Sequence, residues 1–147
     1  MLPIIELTEA DPQFADCLAI RMVVFVQEQN VPADEEHDDY DAVARHFLVL
    51  GDAGPLATAR VILQEDGLVA KIGRVAVLRP ARGNGLGLAL MQHIETVLRS
   101  GASQPEVIRL DAQIHALRFY ETLGYEAYGA EFLDAGIPHR HMAKRLN

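Results

Sequence analysis

The apolar positions of this chain change period several times, and each change marks an element. Pro3-Ile4-Ile5-Glu6-Leu7 reads as a short first strand. Asp11-Pro12 offers an N-cap and a proline for the first helical turn. Phe14, Cys17, Leu18, Met22 and Phe25 then recur on one face of a helix that should end before Val31-Pro32. Three β-rich runs follow, Arg45–Leu50, Leu56–Gln64 and Leu68–Leu78, separated by turns at 51–55 and 65–67. They predict an antiparallel meander, and Gly73 in its third strand marks a position for a bulge. After Gly87 the period returns to helical, with Leu90, Met91, Ile94, Val97 and Leu98 on one face and Ser100-Gly101 as the stop. A loop at 101–106, a strand at Val107–Ala112 and a helix from Ile114 to Gly124 complete a crossover. Strands at Tyr125–Phe132 and Arg140–Leu146 close the chain. The crossover predicts a parallel pair, Val75–Leu78 beside Val107–Ala112, inside an otherwise antiparallel sheet. The fold class is therefore α/β (α+β), a mixed sheet of six or seven strands flanked by helices, in a single domain spanning 1–147.

The chemistry concentrates where the third meander strand meets the central helix. Arg79-Pro80-Ala81-Arg82-Gly83-Asn84-Gly85-Leu86-Gly87 joins them. The first amides of a helix lack partners and lie at the positive end of its dipole. Glycines let backbone approach a ligand closely, and the two arginines add full charge. Strand, basic glycine-rich turn and helix start together form a place for a phosphate or pyrophosphate. A Walker A loop would need Gly-Lys-Ser/Thr where Leu88 and Ala89 follow Gly87, and the dinucleotide fingerprint fails at Leu88.

Composition narrows the partners. Half of the 147 residues are hydrophobic and the formal charge is −8. An acidic chain argues against sequence-independent nucleic-acid binding and suits a cationic substrate. The one cysteine, Cys17, lies on an apolar helix face and reads as a small buried hydrophobe. Neither a basic leader nor a run of about 20 apolar residues is present, so a cytoplasmic protein without membrane contact is expected.

The pattern Arg82-x-x-Gly85-x-Gly87 resembles the acetyl-coenzyme A loop of the GCN5-related N-acetyltransferase (GNAT) family. Ala116-x-x-Phe119-Tyr120-x-x-x-Gly124-Tyr125 resembles the motif after that family's fifth strand, with Gln113 where many members have asparagine. Arg21-x-x-Val24-Phe25, Glu28-Gln29, Glu36-x-x-Asp39-x-Asp41, His46 and Gly136-Ile137-Pro138-His139-x-x-Met142 resemble the ElaA-like subgroup. The resemblance implies the GNAT fold, with strands four and five splayed apart to admit the coenzyme. It implies acetyl-CoA as co-substrate, no metal, and a small-molecule or peptide amine as acceptor. Homodimers are common in that family, and acyl-homoserine-lactone synthases and non-catalytic coenzyme A sensors share its fold.

Carried onto this chain, the resemblance gives the amides of Arg82, Gly83, Asn84, Gly85, Leu86 and Gly87 to the pyrophosphate. Val75, Ala76 and Val77 would pair with the pantetheine arm, with Gln113 nearby. Tyr120 would protonate the leaving thiolate. An amine must lose a proton before it attacks, and Glu28, His46 and His141 are the candidates to accept it or to touch the acceptor. The acidic run Asp34–Asp41 holds six carboxylates in eight residues. It reads as a solvated loop, or as a wall that attracts an ammonium group. His139 and His141, two apart on a strand, share a face and suit structural or substrate-contacting roles better than a zinc pair.

Overall fold

A computed structural model describes residues 2–102 and 104–146; Ser103, in the loop expected at 101–106, lies outside the described residues. Seven strands form one sheet in the order β1-β2-β3-β4-β5-β7-β6. They are β1 (Ile4–Leu7), β2 (Arg45–Gly51), β3 (Gly54–Gln64), β4 (Val69–Val77), β5 (Val107–Gln113), β6 (Glu126–Asp134) and β7 (Ile137–Arg145). Only β4 and β5 run parallel. The helices are α1 (Phe14–Arg21), α2 (Ala33–Glu36), α3 (Leu86–Ser100) and α4 (Leu117–Thr122). Among the described residues no helix is long and apolar enough to cross a membrane.

Alternation along the strands sorts side chains to two layers. Phe47, Val49, Ile72, Ile108, Leu110 and Met142 meet Leu90, Met91, Ile94 and Leu98 of α3 and Tyr120 of α4. On the opposite face Leu48 and Ala76 meet Phe14, Cys17 and Ile20 of α1. Because α1 packs on β2–β4, the polar face of β5 and β7 is left open beside it.

Three expectations are corrected. The parallel register joins Val69–Ile72 to Val107–Leu110, not Val75–Leu78, because the strands part beyond Ile72. Asp11 does not cap α1; it accepts from the Thr8 amide at 2.8 Å and closes a turn ahead of the helix. Beyond Arg21 the helix widens into a π-helical stretch, Met22–Glu28. The buried stripe is Phe14, Cys17, Ile20, Arg21 and Val24, and Leu18, Met22 and Phe25 are only partly buried.

Candidate active site

At the start of α3, Gly83 and Gly85 take φ of +83° and +77°, which only glycine adopts without strain. The first intrahelical bond runs from the Ala89 amide to the Gly85 carbonyl at 3.0 Å. The amides from Gly83 to Leu88 donate to no other group among the described residues, which leaves a run of donors at a helix N-terminus. The Arg82 amide is not among them, since it bonds the Arg79 carbonyl at 3.1 Å. A Cβ on Gly87 would stand 3.4 Å from Phe119 of α4, in ordinary van der Waals contact.

The Arg82 side chain bends back along the loop. Its Nε donates to the Val77 carbonyl at 2.8 Å and one of its terminal nitrogens to Glu28 at 2.7 Å. Arg79 lies 3.6 Å from the same carboxylate. The hydrogen bond from Arg82, with the charges of both arginines, holds the Glu28 carboxyl below the usual glutamate range. Ion pairing weakens Glu28, expected as a proton acceptor, as a base while Arg82 holds it. It anchors the loop.

The sheet opens next to this loop. Past Ile72 and Leu110, β4 pairs only with β3, with Ala76 opposite Thr58 and Val77 opposite Ala57. The edge of residues 73–77 that faces β5 therefore carries no ladder. Between the Arg60–Gly73 and Thr58–Ala76 pairs, Ala59 of β3 stands against both Arg74 and Val75 of β4. This is the bulge expected at Gly73, with its left-handed residue one place later, at Arg74 (φ +51°).

A cavity of about 780 Å³ fills the opening. Gly73, Arg74 and Val75 form one wall, and Leu110 to Gln113 with Tyr120 form another. The α2 region and the β6–β7 turn close it. Val75, Gln113 and Tyr120 thus reach the cavity. Ala76 packs under α1, and Val77 and the glycine loop lie beyond the cavity lining. Gln113 donates to Gln29 at 2.8 Å and lies 2.6 Å from His115. Tyr120 is 8% exposed, and burial pushes its hydroxyl up to about 12.

His46 does not share this space. It is 1% exposed, edge-on to Phe14 and 3.0 Å from the Asp41 carbonyl, and burial lowers its pKa. The expected acceptor contact is corrected to a core position. His141 is not among the lining residues; its Nδ1 lies 2.6 Å from the lining residue Asp111, whose other oxygen meets Lys71 at 3.1 Å. Burial alone would raise the Asp111 carboxyl; His141 and Lys71 outweigh it and hold it low.

The acidic run proved to be neither solvated throughout nor wholly turned to the cavity. Arg21, 1% exposed, binds Asp41 through both carboxylate oxygens at 2.9 and 3.0 Å, and Glu36 at 2.8 Å. Arg60 bridges Asp38 and Asp41 at 2.7 and 2.9 Å. Arg74 pairs with Glu36 and Asp38 at 2.8 and 3.2 Å. Three arginines thus balance three carboxylates and clamp the loop across β3 and β4. Asp34, Glu35 and Asp39 stay exposed on the cavity wall, with no ion-pair partner among the described residues. Glu9, His37 and Asp41 bring ligand atoms within 4.8 Å of one another, but the Asp41 oxygens already accept from Arg21 and Arg60.

Arg74 and Asp111 are cavity residues that motif reading did not single out, and His139, expected in a structural or substrate-contacting role, lines the same cavity. Two of them carried a signal. Arg109, Asp111 and Gln113 alternate with Ile108, Leu110 and Ala112, so β5 has a polar face, and His139 and His141 alternate onto the same face of β7. Arg74 carried none, since nothing local predicts a left-handed arginine.

The comparisons agree with this geometry. The family model described as "Acetyltransferase (GNAT) domain" matches residues 20–146. The protein described as "Uncharacterized N-acetyltransferase YjcF" of Bacillus subtilis is 36% identical over 135 residues, covering 91% of this chain and 94% of that protein. Protein ElaA of Escherichia coli is 35% identical over 132 residues, 88% of this chain and 85% of that protein. The crystal structure of ElaA superposes with a TM-score of 0.86 at 30% identity, over 98% of this chain and 99% of that one. An aminoglycoside 6'-N-acetyltransferase complexed with coenzyme A shares the fold, with a TM-score of 0.76 at 18% identity over 99% and 98% of the two chains. With its splayed β4 and β5 and its glycine-loop helix start, the chain belongs to the GNAT acetyltransferase family, in the ElaA-like subgroup.

Proposed function

We propose that the protein, working as a single domain, transfers the acetyl group of acetyl-CoA to an amine by direct attack in a ternary complex. The observation that carries this reading is the unpaired edge of β4, which opens onto the cavity beside Tyr120 and leads to the unpaired amides of Gly83–Leu88.

Those amides suit a pyrophosphate, with Arg82 exchanging Glu28 for phosphate oxygens. The edge at Val75–Val77 offers main-chain groups to the pantetheine amides as a neighbouring strand would. A backbone N–H on that edge would stabilise the oxyanion formed at the thioester carbonyl. Tyr120, with its hydroxyl pushed up to about 12, stays protonated at working pH and can donate to the leaving thiolate. A free thiol near 8.5 makes that transfer uphill in isolation, and it is coupled to loss of the second proton from the newly acylated nitrogen. Asp34, Glu35 and Asp39 draw a cationic acceptor into a cavity of small-molecule size, where His141 acts through its contact with Asp111.

Calorimetric titration with acetyl-CoA, followed by thiol release across a panel of amines, tests the reading. Saturable binding near one per chain and amine-dependent release are expected. Binding with no release from any amine would point to a sensor module instead, and no binding at millimolar coenzyme would overturn the loop assignment.

A further inference from the structure

We infer that His139 is the group that takes the proton from the acceptor amine, an assignment that rests on the acetyl-transfer reading above. His139 lies on β7 directly across from Gln113, the last residue of β5, at the splayed end of the sheet. It is 8% exposed and lines the cavity. Its Nδ1 lies 2.6 Å from the Ile137 carbonyl, an acceptor only, so that nitrogen carries the hydrogen. Nε2 is then the lone-pair nitrogen, and among the described residues it has no partner. The ring stacks on Phe132, with centroids 5.8 Å apart and planes 26° apart. A buried imidazole in the cavity wall, with its ring stacked, its tautomer set by the Ile137 carbonyl and its other nitrogen without a partner, has the attributes of a base.

The other candidates are occupied or lie outside the cavity lining: His115 contacts Gln113, His37 contacts Glu9, His141 is held by Asp111 and does not line the cavity, His46 is in the core, and Glu28, which Arg82 holds before the coenzyme binds, is not a lining residue. Strand alternation places His139 on the sheet face of Asp111 and Gln113, whereas Tyr120 belongs to the core layer on the opposite face. Base and acid therefore approach the gap between β4 and β5 from opposite sides. The proton balance closes. His139 Nε2 takes one proton from the ammonium and passes it to solvent. The freed lone pair forms the C–N bond, the C–S bond breaks, and Tyr120 protonates the thiolate. The second proton on nitrogen restores the Tyr120 hydroxyl.

His139→Asn keeps a donor for the Ile137 carbonyl and removes the Nε2 lone pair. The measurement is kcat/KM for thiol release with two acceptors of similar size, an alkylamine that is protonated at assay pH and a weakly basic aromatic amine that is not. Melting temperature and acetyl-CoA affinity report on the fold, and His139→Gln serves as a second variant if the first does not fold. The expected result is a loss of about 100-fold or more with the alkylamine, under tenfold with the aromatic amine, and partial recovery with added imidazole. An equal loss with both acceptors, or no loss, would overturn the assignment. Absence of release by the parent protein with either amine would instead count against the acetyl-transfer reading itself.

Discussion

Replacing Arg74 separates two effects that the bulge in β4 combines. Its backbone, at φ +51°, lies where an L residue is strained by about 1–2 kcal/mol. Its guanidinium meanwhile holds Glu36, Asp38 and the carbonyls of Glu35 and Glu36. Arg74→Ala removes the contacts and keeps the strain, whereas Arg74→Gly removes both. At an ordinary strand position glycine is about 0.5–1 kcal/mol less stable than alanine, because its unfolded chain has more freedom to lose. Here relief of the strain should reverse that order and leave glycine ahead by about 0.5–1 kcal/mol. For a chain of this size the gap corresponds to about 1–4 °C in melting temperature. Both variants should fall about 2 kcal/mol below the parent, less than for a fully buried ion pair because Arg74 is partly exposed and Arg21 still holds Glu36. Urea unfolding and thermal melting followed by circular dichroism measure both differences. Alanine more stable than glycine would refute the strain argument. A parent-like stability for both would refute the clamp.

Three further outcomes are expected. Gly85→Val places a β-branched residue at φ +77° over the unpaired amides, where a Cβ meets nothing within 4 Å. Stability should drop by about 1–2 kcal/mol or somewhat more and coenzyme affinity by more than tenfold, and unchanged affinity by calorimetry would sink the loop assignment. Tyr120→Phe should leave acetyl-CoA binding intact and lower kcat by at least about tenfold; full turnover would make the residue a packing element only. Asp41, with no exposed surface, is held at about 2 by its arginines, although burial itself pushes the carboxyl up. A carboxyl lowered on folding contributes its stability above the unfolded pKa and loses it as pH falls through the folded one. About 2 kcal/mol should therefore vanish between about pH 5 and pH 2, and Asp41→Asn, less stable at pH 7, should show a flatter acid-side slope in denaturant unfolding.

What could be read from the sequence was whatever depends on short-range periodicity. The three meander strands, the central helix and the Gly124 stop were all legible, because a single repeat of two or of 3.6 residues specifies each one. The glycine loop was legible for a related reason. Gly83, Gly85 and Gly87 lie within five residues of one another, and at Gly83 and Gly85 the need for glycine is local, set by the backbone angle.

The illegible part depends on chain separated in sequence. The acidic run looked solvated because its partners, Arg21, Arg60 and Arg74, lie on three different elements and only the fold brings them together. The parallel register slipped for a similar reason. Alternation alone favours pairing β4 along its whole length, but the bulge at Arg74 and the arginine clamp turn residues 73–77 away from β5. These two omissions meet at one side chain. Arg74 sits in the bulge beside the open strand edge, and its guanidinium fixes the loop that walls the cavity. A displacement of the acidic loop is therefore transmitted to the backbone that would hold the acyl group, and the two halves of the site are set by the same residue.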